Sequence, residues 1–164
     1  MLDPAHSHGL PAFLVDDPGV NSGFMLAQYT QASLVSECKR FAVPASVDSI
    51  PTSGTTEDHN SMGWDAGMKL RRAIEHSSYV IAIEALCAAQ ALDLRARAGH
   101  EDADEVAPSA ATRAVCEAIR EAVPFLERDR PLTPDIEAVA SLVRSGGIVA
   151  AAESVLGPQP WQIP

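Results

Sequence analysis

The sequence predicts an all-α fold built around long helices. Hydrophobic residues make up 46% of the chain but aromatics only 5%. Alanine, leucine and valine supply most of the apolar count, and such side chains favour helix over sheet. The proline-free stretches Gly23 to Ala42 and Met62 to Arg97 are too long for strands, and no segment alternates apolar and polar residues as a half-buried strand must.

Residues 1–20 form an irregular lead-in, because Pro4, Pro11, Pro18, Gly9 and Gly19 leave no room for a long helix. Asn21-Ser22 offers an N-cap. From Gly23 to about Ala42, Phe24, Leu26, Ala27, Leu34, Val35, Cys38 and Phe41 predict a mostly buried helix. Pro44 ends it, since the residue before a proline is pushed out of the helical region. Pro44 to Ser61 is rich in Pro, Ser, Thr, Asp and Gly and reads as an ordered loop, with Val47 and Ile50 as expected anchors. Loops of that length inside compact folds are often functional.

A helix of about 62–97 follows, roughly 50 Å long. Its middle, Tyr79 to Ala89, is apolar on nearly every face. Such a helix must be surrounded by others, and a chain of 164 residues supplies too few, so a larger bundle is expected. Glu101, Asp102, Asp104 and Glu105 predict a solvated acidic loop. Ser109 caps a short helix that ends before Pro124. Thr133-Pro134-Asp135 starts another, with a capping hydroxyl, an early proline and an acid in the first turn. Gly146-Gly147 stops it. Ile148 to Leu156 suits a final helix. The organisation is thus a lead-in over 1–20, a helical segment over 21–157 and a tail over 158–164.

The net charge of -10 argues against a nucleic-acid surface, which needs clustered Lys and Arg, and against an anionic membrane surface. Tyr79 to Leu92 contains Glu84 and Gln90 and is too short to span a bilayer. Cys38, Cys87 and Cys116 are odd in number and far apart, which suits a reducing cytoplasm. Met1-Leu2-Asp3-Pro4 has neither the basic nor the apolar run of a leader. No metal-ligand spacing and no glycine-rich phosphate loop occurs. His6 and His8 could hold a metal only weakly in a proline-rich terminus, and His76 in the long helix suits a structural role. Glu57-Asp58-His59 are consecutive, whereas a catalytic triad needs side chains converging from separate elements. Physical reasoning thus singles out the polar loop from Asp48 to Asn60, as either a capping structure or a site.

The words of this loop and its flanks carry a resemblance. Asn21-Ser22-Gly23-Phe24-Met25-Leu26-Ala27-Gln28, Pro44-Ala45-Ser46-Val47-Asp48-Ser49-Ile50-Pro51-Thr52-Ser53 and Glu57-Asp58-His59-Asn60-Ser61-Met62 resemble stretches of the histidine ammonia-lyases. Leu92-Asp93-Leu94-Arg95 and the run from Val123 through Asp129-Arg130-Pro131-Leu132 to Ile136 follow in the same order. The resemblance corresponds to about the last third of such an enzyme. It implies the C-terminal portion of a long-helix bundle of the aromatic amino acid lyase type, assembled as a homotetramer. It also implies elimination of ammonia from L-histidine to give urocanate, on a methylidene-imidazolone electrophile formed from an Ala-Ser-Gly triad.

By the same resemblance Glu57 matches an active-site glutamate that binds the substrate imidazole or assists proton transfer, and Met25 matches a residue lining the substrate pocket. Asp58 and His59 would fix the loop. Two departures stand out. Thr56 stands where those enzymes typically have glutamine. No Ala-Ser-Gly occurs, since Ala32-Ser33, Ala45-Ser46 and Ala140-Ser141 continue with Leu34, Val47 and Leu142. No residue of the chain is therefore expected to bind cofactor or metal. An N-terminal lyase portion or full-length subunits would be the partner, and the chain would be inactive alone. The alternatives are a non-catalytic helical assembly or regulatory protein, using Tyr79 to Leu92 as an interface, and part of a tyrosine or phenylalanine ammonia-lyase or aminomutase.

Overall fold

The computed structural model describes residues 1–98 and 107–157, so the acidic run Glu101 to Glu105 and the tail 158–164 lie outside the described residues. Among the described residues five α-helices follow a lead-in: α1 (Met25–Phe41), α2 (Gly63–Arg97), α3 (Ala110–Ala122), α4 (Thr133–Ser145) and α5 (Gly147–Leu156). Among the described residues there is no β-strand, only two isolated bridges. Helix α2, about 52 Å long at 1.5 Å per residue, is the spine. It packs on α1 and α4, while α3 lies on α5.

Helices α1 and α2 are antiparallel. Gln31 Nε2 donates to the Val80 carbonyl at 3.0 Å, His76 Nδ1 lies 3.5 Å from Glu37 Oε2, and Lys69 Nζ donates to the Val43 carbonyl at 3.2 Å. Partner numbers thus rise on one helix as they fall on the other. His76 also meets the Phe41 ring, with centroids 5.5 Å apart, and serves the helix contact.

The core sits on the C-terminal half of α2. Ala82, Ile83, Leu86, Cys87, Ala89, Ala91 and Leu94 are buried there, against Leu14, Ile119, Leu126 and Val139. The N-terminal half meets α1 but holds no buried residue, and Trp64, Leu70 and Ile74 are exposed. By length and apolar composition the whole of α2 could cross a bilayer, as the shorter stretch Tyr79 to Leu92 could not. Half of its most apolar window is nevertheless buried within this fold.

Several local expectations are corrected. Helix α1 is not mostly buried: within it only Ala27 is, while Leu26 and Tyr29 are exposed. Apolar spacing marks a face without supplying its cover. Asn21-Ser22 does not cap α1, whose cap position is Phe24. Instead the Ser22 and Gly23 N–H groups donate to the two carboxylate oxygens of Asp129, each at 2.8 Å. Thr133 is the first residue of α4 rather than its cap. Val47 and Ile50 are exposed, and Ala45 is the buried anchor of the loop. Ser109 does cap α3, accepting the Thr112 N–H, and Gly146 ends α4 at φ 77°.

Gln90 is fully buried and ties the lead-in to the turn after α3. Its Nε2 donates to the Leu14 and Leu126 carbonyls at 3.1 and 2.9 Å, and its Oε1 accepts the Leu126 N–H at 3.1 Å. Arg120, paired with Asp93 at 2.6 Å, reaches the same oxygen at 3.3 Å.

Candidate active site

The loop between α1 and α2 builds itself from short-range bonds. Thr52 and Glu57 exchange both backbone hydrogen bonds, N–H to carbonyl, at 2.9 and 3.3 Å. The turn they close holds Ser53, Gly54 and Thr55 at φ 53°, 62° and 71°. Three consecutive left-handed residues, two of them not glycine, are costly, and such strain concentrates at functional loops.

Polar side chains hold the turn. Thr52 Oγ1 donates to Glu57 Oε2 at 2.7 Å. Asn60 Nδ2 donates to the Ile50 carbonyl at 2.6 Å and to Thr52 Oγ1 at 3.3 Å, and Ser49 Oγ accepts the Asn60 N–H at 2.8 Å. Met62, also left-handed at φ 54°, turns the chain into α2. The Glu57 carboxylate is consequently braced yet exposed.

Asp58 and His59 do not fix this loop. Their side chains make no hydrogen bond or ion pair among the described residues, and Thr52, Ser49 and Asn60 perform that task. Thr56 is exposed and its N–H donates to the Ser53 carbonyl at 3.2 Å.

Met25 lies elsewhere. It is the first residue of α1 and half-buried, while Glu57 follows the last turn of that helix. Helix α1 carries the chain about 24 Å from Met25 to Phe41 before the loop begins, and among the described residues no hydrogen bond or shared hollow joins Met25 to Glu57. The lead-in to Met25 is held tightly. Beyond the Asp129 bonds, Phe24 N–H donates to the Phe13 carbonyl at 3.1 Å, and Asn21 Oδ1 accepts the Asp129 N–H at 3.3 Å. Gly23 sits at φ 53°, where an added Cβ would lie 2.5 Å from the Phe13 carbonyl oxygen.

A hollow of about 750 Å³ opens between the lead-in, α1 and α2, lined by Leu2, Phe13, Gln28, Gln31, Glu84 and Cys87 among others. Neither Met25 nor Glu57 lines it. Burial pushes the Cys87 thiol up to about 12, so it carries no thiolate at neutral pH. Among the described residues no group of three His, Cys, Asp or Glu is arranged to hold a metal ion, and His6 is engaged by Asp3 at 2.9 Å.

Of the three exposed carboxylates of this strained loop, Asp48, Glu57 and Asp58, Glu57 is the one that a neighbouring side chain braces among the described residues. Comparison with known proteins gives the lineage. The family model for aromatic amino acid lyases matches residues 1–121, and the chain belongs to that family. It is 53% identical over 159 residues to a histidine ammonia-lyase of Streptomyces coelicolor, covering 96% of this chain and 30% of that relative. The chain therefore spans about a third or less of the length of the curated relatives it matches.

Among solved structures, histidine ammonia-lyase from Trypanosoma cruzi superposes with a TM-score of 0.82 at 36% identity, over 99% of this chain and 32% of that one. A tyrosine aminomutase from Streptomyces globisporus superposes with a TM-score of 0.84 at 39% identity, over 96% and 29%. The helical architecture is accordingly that of the aromatic amino acid lyase fold.

Proposed function

We propose that this chain forms the C-terminal part of a histidine ammonia-lyase, in which L-histidine loses ammonia to give urocanate. The observation that carries the reading is Glu57, an exposed carboxylate held by Thr52 at 2.7 Å on a strained loop. A carboxylate so placed accepts the N–H of an imidazole and orients the ring, leaving the β-carbon to a base elsewhere. The histidine ammonia-lyase relatives support the substrate class. Met25, at the end of α1 opposite the loop, would pack against substrate in a second copy's site or in a site completed by other protein.

The family's methylidene-imidazolone would supply the electrophile. Its Ala-Ser-Gly precursor does not occur in these residues, so that chemistry lies outside this chain and only binding and orientation lie within it. The protein would act in the cytoplasm, within a tetramer, with an N-terminal lyase portion or full-length subunits as partner.

The test is urocanate absorbance in the ultraviolet, with the chain alone and then with a polypeptide carrying the Ala-Ser-Gly portion. Activity is expected only in the mixture, and Glu57→Gln should lower it at least tenfold. Activity from the chain alone would refute the need for a partner. Product formation from tyrosine instead of histidine would support the second reading, part of an aminomutase or tyrosine lyase, which the aminomutase likeness favours. A folded mixed complex without activity would favour an assembly role; much of the expected interface, Tyr79 to Leu92, is buried against the chain's own helices, so exposed Leu26, Tyr29, Trp64 and Leu70 would offer the surface instead.

A further inference from the structure

We infer that Thr52, backed by Asn60, is the positioning residue that aims Glu57 at substrate. The inference rests on the reading of Glu57 given above. A glutamate on an exposed loop ordinarily samples several rotamers, and each side chain frozen into one geometry costs conformational entropy. Here one short bond supplies the restraint, Thr52 Oγ1 donating to Glu57 Oε2 at 2.7 Å.

The geometry leaves Oε1 of Glu57 without a protein donor among the described residues. One carboxylate oxygen is held by the protein and the other is open to a ligand N–H. Thr52 is itself fixed, because Asn60 Nδ2 donates to its hydroxyl oxygen at 3.3 Å. That bond directs the hydroxyl hydrogen away from Asn60 and toward Glu57. The relay Asn60 to Thr52 to Glu57 thus has one direction of donation.

The backbone reinforces it. The reciprocal Thr52 and Glu57 hydrogen bonds hold these residues opposite each other, so their side chains meet only because the left-handed Ser53, Gly54 and Thr55 close the turn between them. The strain of that turn has a consequence in the register of one side-chain pair. None of this requires the missing portion of the site, because every partner lies between Ser49 and Asn60.

The test has two arms. In the first, NMR couplings report the Glu57 side-chain rotamer in the isolated chain. One rotamer is expected in the native chain and in Thr52→Ser, and averaging in Thr52→Val. Averaging in the native chain, or no change in Thr52→Val, would overturn the inference whatever the activity. In the second arm the chain is combined with the Ala-Ser-Gly portion and kcat and KM are measured for histidine. Thr52→Val is expected to lower kcat/KM by about tenfold or more, the usual loss for a hydrogen bond to a charged group, with Thr52→Ser restoring it. In the Glu57→Gln background Thr52→Val should have no further effect. A full additive loss in that background would show a merely structural threonine and overturn the inference. Absence of activity in the native mixture would instead refute the functional reading, while the rotamer arm still decides whether Thr52 aims Glu57.

Discussion

Replacing Gln90 by leucine exchanges an amide for a hydrocarbon of similar length at a fully buried site. Leucine and glutamine have nearly equal helix propensities, so α2 itself is not weakened. What changes is the fate of three buried backbone groups, the Leu14 carbonyl, the Leu126 carbonyl and the Leu126 N–H, which now bond to the amide at 2.9 to 3.1 Å. Each buried polar group left without a partner costs about 1–3 kcal/mol. The three together cost about 3–9 kcal/mol, and the added apolar burial returns about 1–2 kcal/mol. A net loss between about 1 and 8 kcal/mol is expected, against about 5–15 kcal/mol for the whole stability of an ordinary domain. Urea unfolding followed by circular dichroism reads it, as a shift in midpoint at constant slope. Amide exchange at Leu126 should accelerate in parallel. A loss below about 1 kcal/mol, with the slope unchanged, would refute the role assigned to the amide.

Two further substitutions test the approach to Met25. Gly23→Ala should destabilise by about 1–3 kcal/mol, because the residue is left-handed and the new Cβ would meet the Phe13 carbonyl oxygen at 2.5 Å; urea unfolding measures it, and a neutral result would mean the lead-in shifts freely. For Asp129, the Ser22 and Gly23 N–H groups hold the carboxyl below its ordinary value. A depressed folded-state value means its stabilisation is present above the unfolded carboxylate range and is lost as pH falls through the folded value. The native chain should therefore lose more stability than Asp129→Asn between neutral and strongly acidic pH. Parallel profiles would remove Asp129 from the account.

The helices were legible where local rules decide them. The apolar run around Tyr79 to Ala89, the hydroxyl of Ser109 and the Gly146 turn act within a few residues of themselves, and the structure forms α2, caps α3 and ends α4 there. Two of the misreadings involve distant partners. Asn21-Ser22 has the composition of a cap, but the Ser22 and Gly23 N–H groups meet an aspartate about a hundred residues away. The apolar residues of α1 predicted burial, yet spacing cannot say what covers a face. Glu57 was singled out through family resemblance, and Thr52 and Asn60 were not singled out as its brace. Their pairing depends on left-handed backbone at Ser53 and Thr55, residue types that give little warning of it.

The two ends of α1 are consequently supported in different ways. Gln90 fixes Leu126, and Asp129 three residues later holds Ser22 and Gly23, so the start of α1 and Met25 is tied to the core of α2. The Glu57 loop draws its hydrogen bonds from its own residues, Ser49 to Asn60. Stability lost in the core should therefore reach Met25 before it reaches Glu57, as local opening follows contiguous cooperative units. In Gln90→Leu, exchange at Ser22 and Gly23 should quicken while the Thr52 and Glu57 amides keep their rates. Equal acceleration at both places would mean that the loop is held through the core after all, and that the self-contained brace described for Glu57 is incomplete.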